Sequence, residues 1–430
     1  MHEKHGKQTL MPPSSREQAK SEDSETIDLL KRSVLTGAAG GLLGLAGCIS
    51  EPLPEKNQAK VKTNSTIPPA ITDTTSTPNE NEEESGQQID ILSEPDVTPQ
   101  SPIPTATNPR TFAFLGPSVT TVGVSNLEGQ QVMSDGKAVY AWGFQNISGA
   151  NVAGFNNDRL VPGPVIELIE GEQAAITLNS QMPHSIHFHG LDVDQANDGV
   201  PLTSGYVSGF NGVLPGNFGR VKNYPRLSSP FEYTFLAPHA GTYMYHCHVD
   251  TVLHLEMGMA GTIIVRPPNN NAHEAWAGGP VYDKEYIWQL HTYDSTWHQF
   301  SISNSNTVRY RPDYFMINGK DGADLLNDAT TAIVAEAGQR ILLRGVNIGN
   351  LPAIIRLDNI PFEVISSDGR PLKAPMIKNS LLIGAGERYD LLFTMPSSIT
   401  AAVGVDYFSI FAAGPNAKPL GSAETSITSV

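Results

Sequence analysis

Cysteine is nearly missing from this chain: its 430 residues contain two, Cys48 and Cys247. Only Cys247 lies in the body of the protein, so a disulfide framework within the folded part is excluded. Basic residues are scarce as well, 28 Lys and Arg against 44 Asp and Glu, for a formal charge of −16. That balance argues against a nucleic-acid partner, because phosphate is met with basic patches. Long apolar runs are lacking; the modest one from Ser33 to Ala46 is too short and too rich in glycine to span a bilayer. No segment keeps a helical period for more than a turn or two. What the chain has instead is 39 glycines and 32 prolines, punctuating short alternating runs that read as strands.

The lone body cysteine sits in an unusual neighbourhood, Tyr243-Met244-Tyr245-His246-Cys247-His248, followed by His254, Met257 and Gly258-Met259. A buried thiol needs no flanking histidines, so the cluster points to a thiolate-ligated metal. Zinc prefers four closed ligands, usually with several thiolates. One Cys, two His and a weak axial Met describe a blue-copper electron-transfer site. Some sixty residues earlier stands His184-Ser185-Ile186-His187-Phe188-His189-Gly190. In a strand successive side chains point to opposite faces. His187 and His189 then share one face and His184 points to the other; His246 and His248 share a face and Cys247 points away. Two sites result, one around His184, Cys247 and His254, the other around the remaining four histidines. The Cys247 peptide links them covalently.

These stretches resemble the copper motifs of the multicopper oxidases, H-x-x-H-x-H-G and H-C-H…H…G-M. Supporting segments also resemble that family: Val161-Pro162-Gly163-Pro164, Asp198-Gly199-Val200-Pro201, and Ala240-Gly241-Thr242-Tyr243. The resemblance covers roughly residues 109–400. It implies type 1 copper ligands at His184, Cys247, His254 and Met259, with Met257 the weaker axial candidate. It assigns His187 to a type 2 copper and His189, His246 and His248 to a type 3 pair. The implied chemistry passes electrons from a small-molecule or protein donor, received at a solvent-facing edge of His254, through Cys247 to a site that reduces dioxygen. Asp192, Asp194, Asp198 and Asp250 are candidates for relaying protons or orienting imidazoles.

The expected fold is all-β: two consecutive cupredoxin-like Greek-key β-sandwich or barrel domains after a disordered N-terminal tether. Residues 1–48 read as an export signal ending in the lipobox Leu45-Ala46-Gly47-Cys48, with Lys31-Arg32 before the apolar run, also similar to a twin-arginine signal. Acylation of Cys48 would anchor the protein to a membrane without spanning it. Residues 49–108, rich in Ser, Thr, Pro and Glu and free of aromatics, cannot bury enough apolar surface to order themselves. The first cupredoxin domain, residues 109–270, carries the copper motifs. The second, residues 278–415, carries none. The stretch Ser204–Pro230 is a long loop beside the motifs that is expected to shape access to a site.

Three features depart from the family pattern. Six residues separate Cys247 from His254, two more than in the usual laccase-type loop. The family's trinuclear cluster uses eight histidines, and the first domain supplies four. The second offers only His291 and His298, and reads Arg356-Leu357-Asp358-Asn359 where a copper-bearing relative would repeat its first motif. A full cluster then requires another subunit, which makes a homo-oligomer, a trimer, the expected assembly. Lastly, copper nitrite reductases share this framework but have an aspartate where His187 stands. Nitrite reduction and a non-catalytic type 1 electron carrier remain open alternatives to oxygen reduction.

Overall fold

The computed structural model describes residues 119–430 apart from 148–151, 154–159, 212–220, 222, 269–272, 300–309, 327 and 411–416. The expected signal and tether, residues 1–48 and 49–108, lie outside the described residues.

Two sheets form the first domain. One contains β1 (Val119–Val132), β2 (Ala138–Asn146), β5 (Gln173–Asn179) and β9 (Phe231–Leu236), in the order β2-β1-β5-β9. The other contains β3 (Val152–Ala153), β4 (Val165–Ile169), β6 (His187–His189), β10 (Gly241–His246) and β11 (Ala260–Arg266), in the order β3-β4-β11-β10-β6. The parallel pairs β1/β5 and β4/β11 join strands distant in sequence, which is a Greek-key crossing rather than a meander. Val122, Val124, Ile176 and Leu178 of one sheet meet Ile166, Leu168, Tyr245 and Ile263 of the other in one buried core. Each such aliphatic side chain contributes about 1.5–3 kcal/mol on burial. Two short strands, β7 (Tyr206–Val207) and β8 (Arg226–Leu227), pair beside this domain within the expected long loop. The domain also carries two short helices, α1 (Pro201–Ser204) and α2 (Thr251–Glu256).

The second domain repeats the sandwich. One sheet is made by β12 (Lys284–Tyr293), β13 (Tyr314–Ile317), β15 (Arg340–Asn347), β17 (Phe362–Ser367), β18 (Arg370–Lys378) and β20 (Arg388–Thr394), in the order β13-β12-β15-β20-β17-β18. Facing it are β14 (Ile333–Ala335), β16 (Ala353–Arg356), β19 (Ser380–Ile383), β21 (Thr400–Tyr407) and β22 (Gly421–Ser429). The domain thus extends to Ser429, past the expected end at 415, because β22 pairs along all of β21 and closes the sheet. A separate core of Trp288, Leu343, Ile355, Val364, Leu391 and Val405 fills it. Asn318 and Gly319 both have positive φ (53° and 71°), as a type I′ turn demands. A Cβ on Gly319 would meet the Val161 carbonyl of the first domain, so this turn also fixes how the domains approach.

Alternation along β2 divides its labour. Val139 and Ala141 pack with Tyr293, Tyr314 and Met316 of the second domain, while Trp142 and Phe144 turn to the first domain's core. A buried ion network adds to the joint. Arg266 of β11 donates to Glu285 Oε1 and Oε2 (2.8 and 2.7 Å) and to Glu167 (2.5 Å). Glu285 also accepts from Arg344 (2.5 Å), and Arg344 donates to Thr242 Oγ1 (2.8 Å). Thr242 in turn donates to Asp390 (2.5 Å).

Candidate metal centre

Antiparallel pairing of β10 with β6 sets His246 opposite His187 and Met244 opposite His189. Phe188 and Tyr245, opposite each other on the other face, lie in the first domain's core. The alternation expected from the sequence is therefore what the ladder produces. His184 is pinned by a reciprocal backbone bridge to Val207 (3.1 and 2.8 Å), so the loop after α1 helps position His184.

Three donors converge on one point. Cys247 Sγ lies 3.1 Å from His254 Nδ1 and 3.6 Å from His184 Nδ1, and the two nitrogens are 3.3 Å apart. The loop is closed by its backbone: the Cys247 N–H donates to the Met259 carbonyl (3.0 Å) and the Met259 N–H to the His254 carbonyl (2.9 Å). Met259 shares the buried core with Cys247, whereas Met257 packs with Leu253 and Trp297. Gly258 between them has φ +110°, and a Cβ there would sit 2.2 Å from Val161 Cγ2, so only glycine fits. Burial pushes the Cys247 thiol up to about 12. It also pulls His184 down to about 3, and His254 well below its usual range. Two neutral imidazoles thus offer lone pairs beside a sulfur that only a bound cation would keep as thiolate. The set fits a copper of the blue type.

On the other side of the Cys247 peptide lies the second group. His187, His189 and His246 bring nitrogens within 4.8 Å of one another. The His248 ring stacks on His246 (5.8 Å between centroids) and meets His187 edge-on at 5.2 Å. His187 Nδ1 is held by the Asp198 carbonyl (2.8 Å) and carboxylate (3.2 Å), leaving Nε2 for a ligand. His246 Nδ1 lies 3.1 Å from the Cys247 carbonyl, which turns its Nε2 toward His189 Nδ1 at 3.3 Å. Burial, then the Arg388 guanidinium, hold His189 down to about 3. Four imidazoles gathered at one place fit part of a multinuclear copper site.

Several expectations shift. His254 does not show an edge to solvent: it is 2% exposed and lies against Trp142, whose ring meets it edge-on at 5.1 Å. Asp198 holds His187, one of the clustered histidines. Asp192 pairs with Arg370 (2.7 Å), Asp194 caps its own loop, and Asp250 begins α2 with φ +46°. His291 and His298 are 1% and 3% exposed, and His298 is buried against Tyr140 and Glu256 of the first domain, so neither offers itself at the surface to a neighbouring subunit. Arg356, standing where a histidine motif would recur, forms a two-pronged ion pair with Asp406 (2.5 and 2.8 Å). The sequence reading missed Trp142, Glu256 and Arg388. The run Tyr140-Ala141-Trp142 signalled a strand, but not which sheet face would cover the metal ligands.

Sandwich domains with a buried Cys-His-His set joined by one peptide to a histidine cluster define a cupredoxin-type copper protein. Two profiles described as "Multicopper oxidase" match residues 141–269 and 288–428. The chain belongs to the multicopper oxidase family, whose cofactor is type 1 together with type 2/type 3 copper. It is 27% identical to "Multicopper oxidase MmcO" of Mycobacterium tuberculosis, over 63% of this chain and 53% of the relative. It is also 27% identical to "Laccase-3" of Botryotinia fuckeliana, over 55% of this chain and 49% of the relative. A copper-containing nitrite reductase of Neisseria meningitidis is 26% identical over 63% of this chain and 60% of the relative. The chain thus spans about half the length of the first two. In fold it resembles the blue copper oxidase of Nitrosomonas europaea, with a TM-score of 0.55 and 24% identity over 73% of this chain and 86% of that one.

Proposed function

We propose that this protein is an oxidase that takes electrons singly at a type 1 copper and delivers them to a second copper site that reduces dioxygen. His184, Cys247, His254 and the Met259 thioether are the type 1 ligands. His187 serves a type 2 copper, and His189, His246 and His248 a type 3 pair. The observation that carries this reading is covalent: Cys247 belongs to the first set, and its immediate neighbours His246 and His248 belong to the second. Copper, when bound, supplies the one-electron chemistry and the affinity for oxygen. The chain's own groups bury the sulfur and the His184 and His254 imidazoles, and fix His187 through Asp198.

Copper stoichiometry with EPR on the copper-loaded protein tests this. Type 1 and type 2 signals accompanied by EPR-silent copper, with oxygen uptake on adding a reductant, are expected. Type 1 and type 2 signals without silent copper would favour the nitrite reductase reading, and a lone type 1 copper would reduce the protein to an electron carrier.

The donor is a small molecule or a partner protein. Export and a lipid anchor on Cys48 follow from the lipobox sequence, and mass spectrometry of the mature N-terminus tests them. Assembly as a homo-oligomer, a trimer, would let a second copy complete the four-histidine site with groups other than His291 and His298. Copper content per protomer before and after dissociation tests that assembly.

A further inference from the structure

The type 1 ligand set is sealed. His184 and His254 are each 2% exposed, and Cys247 and Met259 are fully buried, so a reductant in solution touches none of them. An electron must therefore cross a covering group, and electronic coupling falls steeply with every gap it crosses. The aromatic ring against both imidazoles is Trp142, at 5.1 Å from His254 and 6.3 Å from His184 between centroids. Trp142 is itself only half-buried. Two residues back on the same face of β2, Tyr140 meets its edge at 6.4 Å and donates its hydroxyl to exposed Glu128 (2.6 Å). An aromatic row thus runs from the surface to the ligand. The Trp142 backbone N–H donates to the Met257 carbonyl (2.9 Å), so β2 at Trp142 and the loop that carries Met259 are held in one frame.

We propose that Trp142, backed by Tyr140, is the entry contact through which reductants deliver electrons to the type 1 copper. This rests on the type 1 assignment above but not on the identity of the terminal acceptor. One electron would leave the reductant for the copper(II) that His184, Cys247 and His254 would hold. A phenolic donor releases its hydroxyl proton to solvent as its radical forms. The indole is neither oxidised nor reduced; it supplies coupled orbitals across the gap. The donor class is one that can lie against the Tyr140–Trp142 ridge, such as a hydroquinone.

The experiment is anaerobic stopped-flow bleaching of the blue band by hydroquinone and by ferrocyanide, in wild type, W142F, W142L and Y140L. Oxygen is absent, so the result does not depend on what the second site reduces. W142L is expected to keep the type 1 EPR signal and potential while bleaching at least tenfold more slowly, with W142F between it and wild type. Bleaching of W142L at the wild-type rate would overturn the proposal. Should W142L fail to hold copper, Y140L decides: several-fold slower bleaching supports the row, and an unchanged rate overturns it. A second readout uses fluorescence. Copper loading should quench indole emission in wild type and lose that quenched component in W142F; equal quenching in both would place the indole away from the copper and refute the contact.

Discussion

At the scale of single residues, burial determines protonation and protonation determines metal uptake. His184 and His254 are already neutral near pH 7, because burial disfavours their charged forms, whereas the Cys247 thiol, raised to about 12, keeps its proton. Copper must displace that one proton. Binding at the type 1 set is therefore expected to release about one proton per copper between about pH 6 and about pH 9, with affinity rising as pH rises. Calorimetry in buffers of different ionisation enthalpy measures it; release of about three protons would mean charged imidazoles in the apo-protein. C247S should abolish the blue band. It should cost the apo-protein only about 1–3 kcal/mol, the penalty for burying a hydroxyl with poor partners, read by denaturant unfolding. At Gly258 the backbone itself is the constraint: G258A forces a side chain into positive φ and against Val161 Cγ2. A loss of about 2–3 kcal/mol is expected, again by denaturant unfolding.

At the scale of elements, the extra length between Cys247 and His254 has a structural use. It forms α2, whose six residues are too few to be a stable helix alone. Glu256 at its end supplies the anchor. Fully buried, its carboxylate accepts from the Asp294 N–H (2.6 Å) and Asn350 (3.2 Å) and lies 3.5 Å from His298 Nε2. His298 in turn has its Nδ1 2.7 Å from the Tyr140 carbonyl. The second domain's His298 thus helps hold the first domain's loop between Cys247 and Met259. E256A, which strands these partners, should lower apo-protein stability by about 2–4 kcal/mol, and E256Q, which keeps an acceptor oxygen, by about 1 kcal/mol. Thermal unfolding of the two variants checks the order; equal losses would mean that volume, not hydrogen bonding, anchors the helix.

At the scale of the whole molecule, the domains are joined by charge as much as by apolar contact. Burial alone would raise Glu285, but Arg344 and Arg266 outweigh it and hold it down to about 2. A carboxylate depressed on folding stabilises fully above its unfolded value near 4.5 and loses that contribution as pH falls toward 2. Stability should drop by roughly 2–3 kcal/mol across that window in wild type and by much less in E285Q, followed by acid titration of the unfolding midpoint. The strands Val165–Ile169, Gly241–His246 and Arg388–Thr394 were legible because short apolar and aromatic runs bounded by turn residues are a local signal. So was the division of Cys247 and the histidines into two groups, because the odd and even positions of His187-Phe188-His189 and His246-Cys247-His248 already send them to two faces. The rest was not local. Burial of His254 under Trp142, the inward turn of His291 and His298, and the use of Glu256 as an anchor depend on which surfaces the two sandwiches press together. Those contacts join residues up to a hundred and more positions apart, and no spacing along the chain encodes them; packing of one domain on the other decides them.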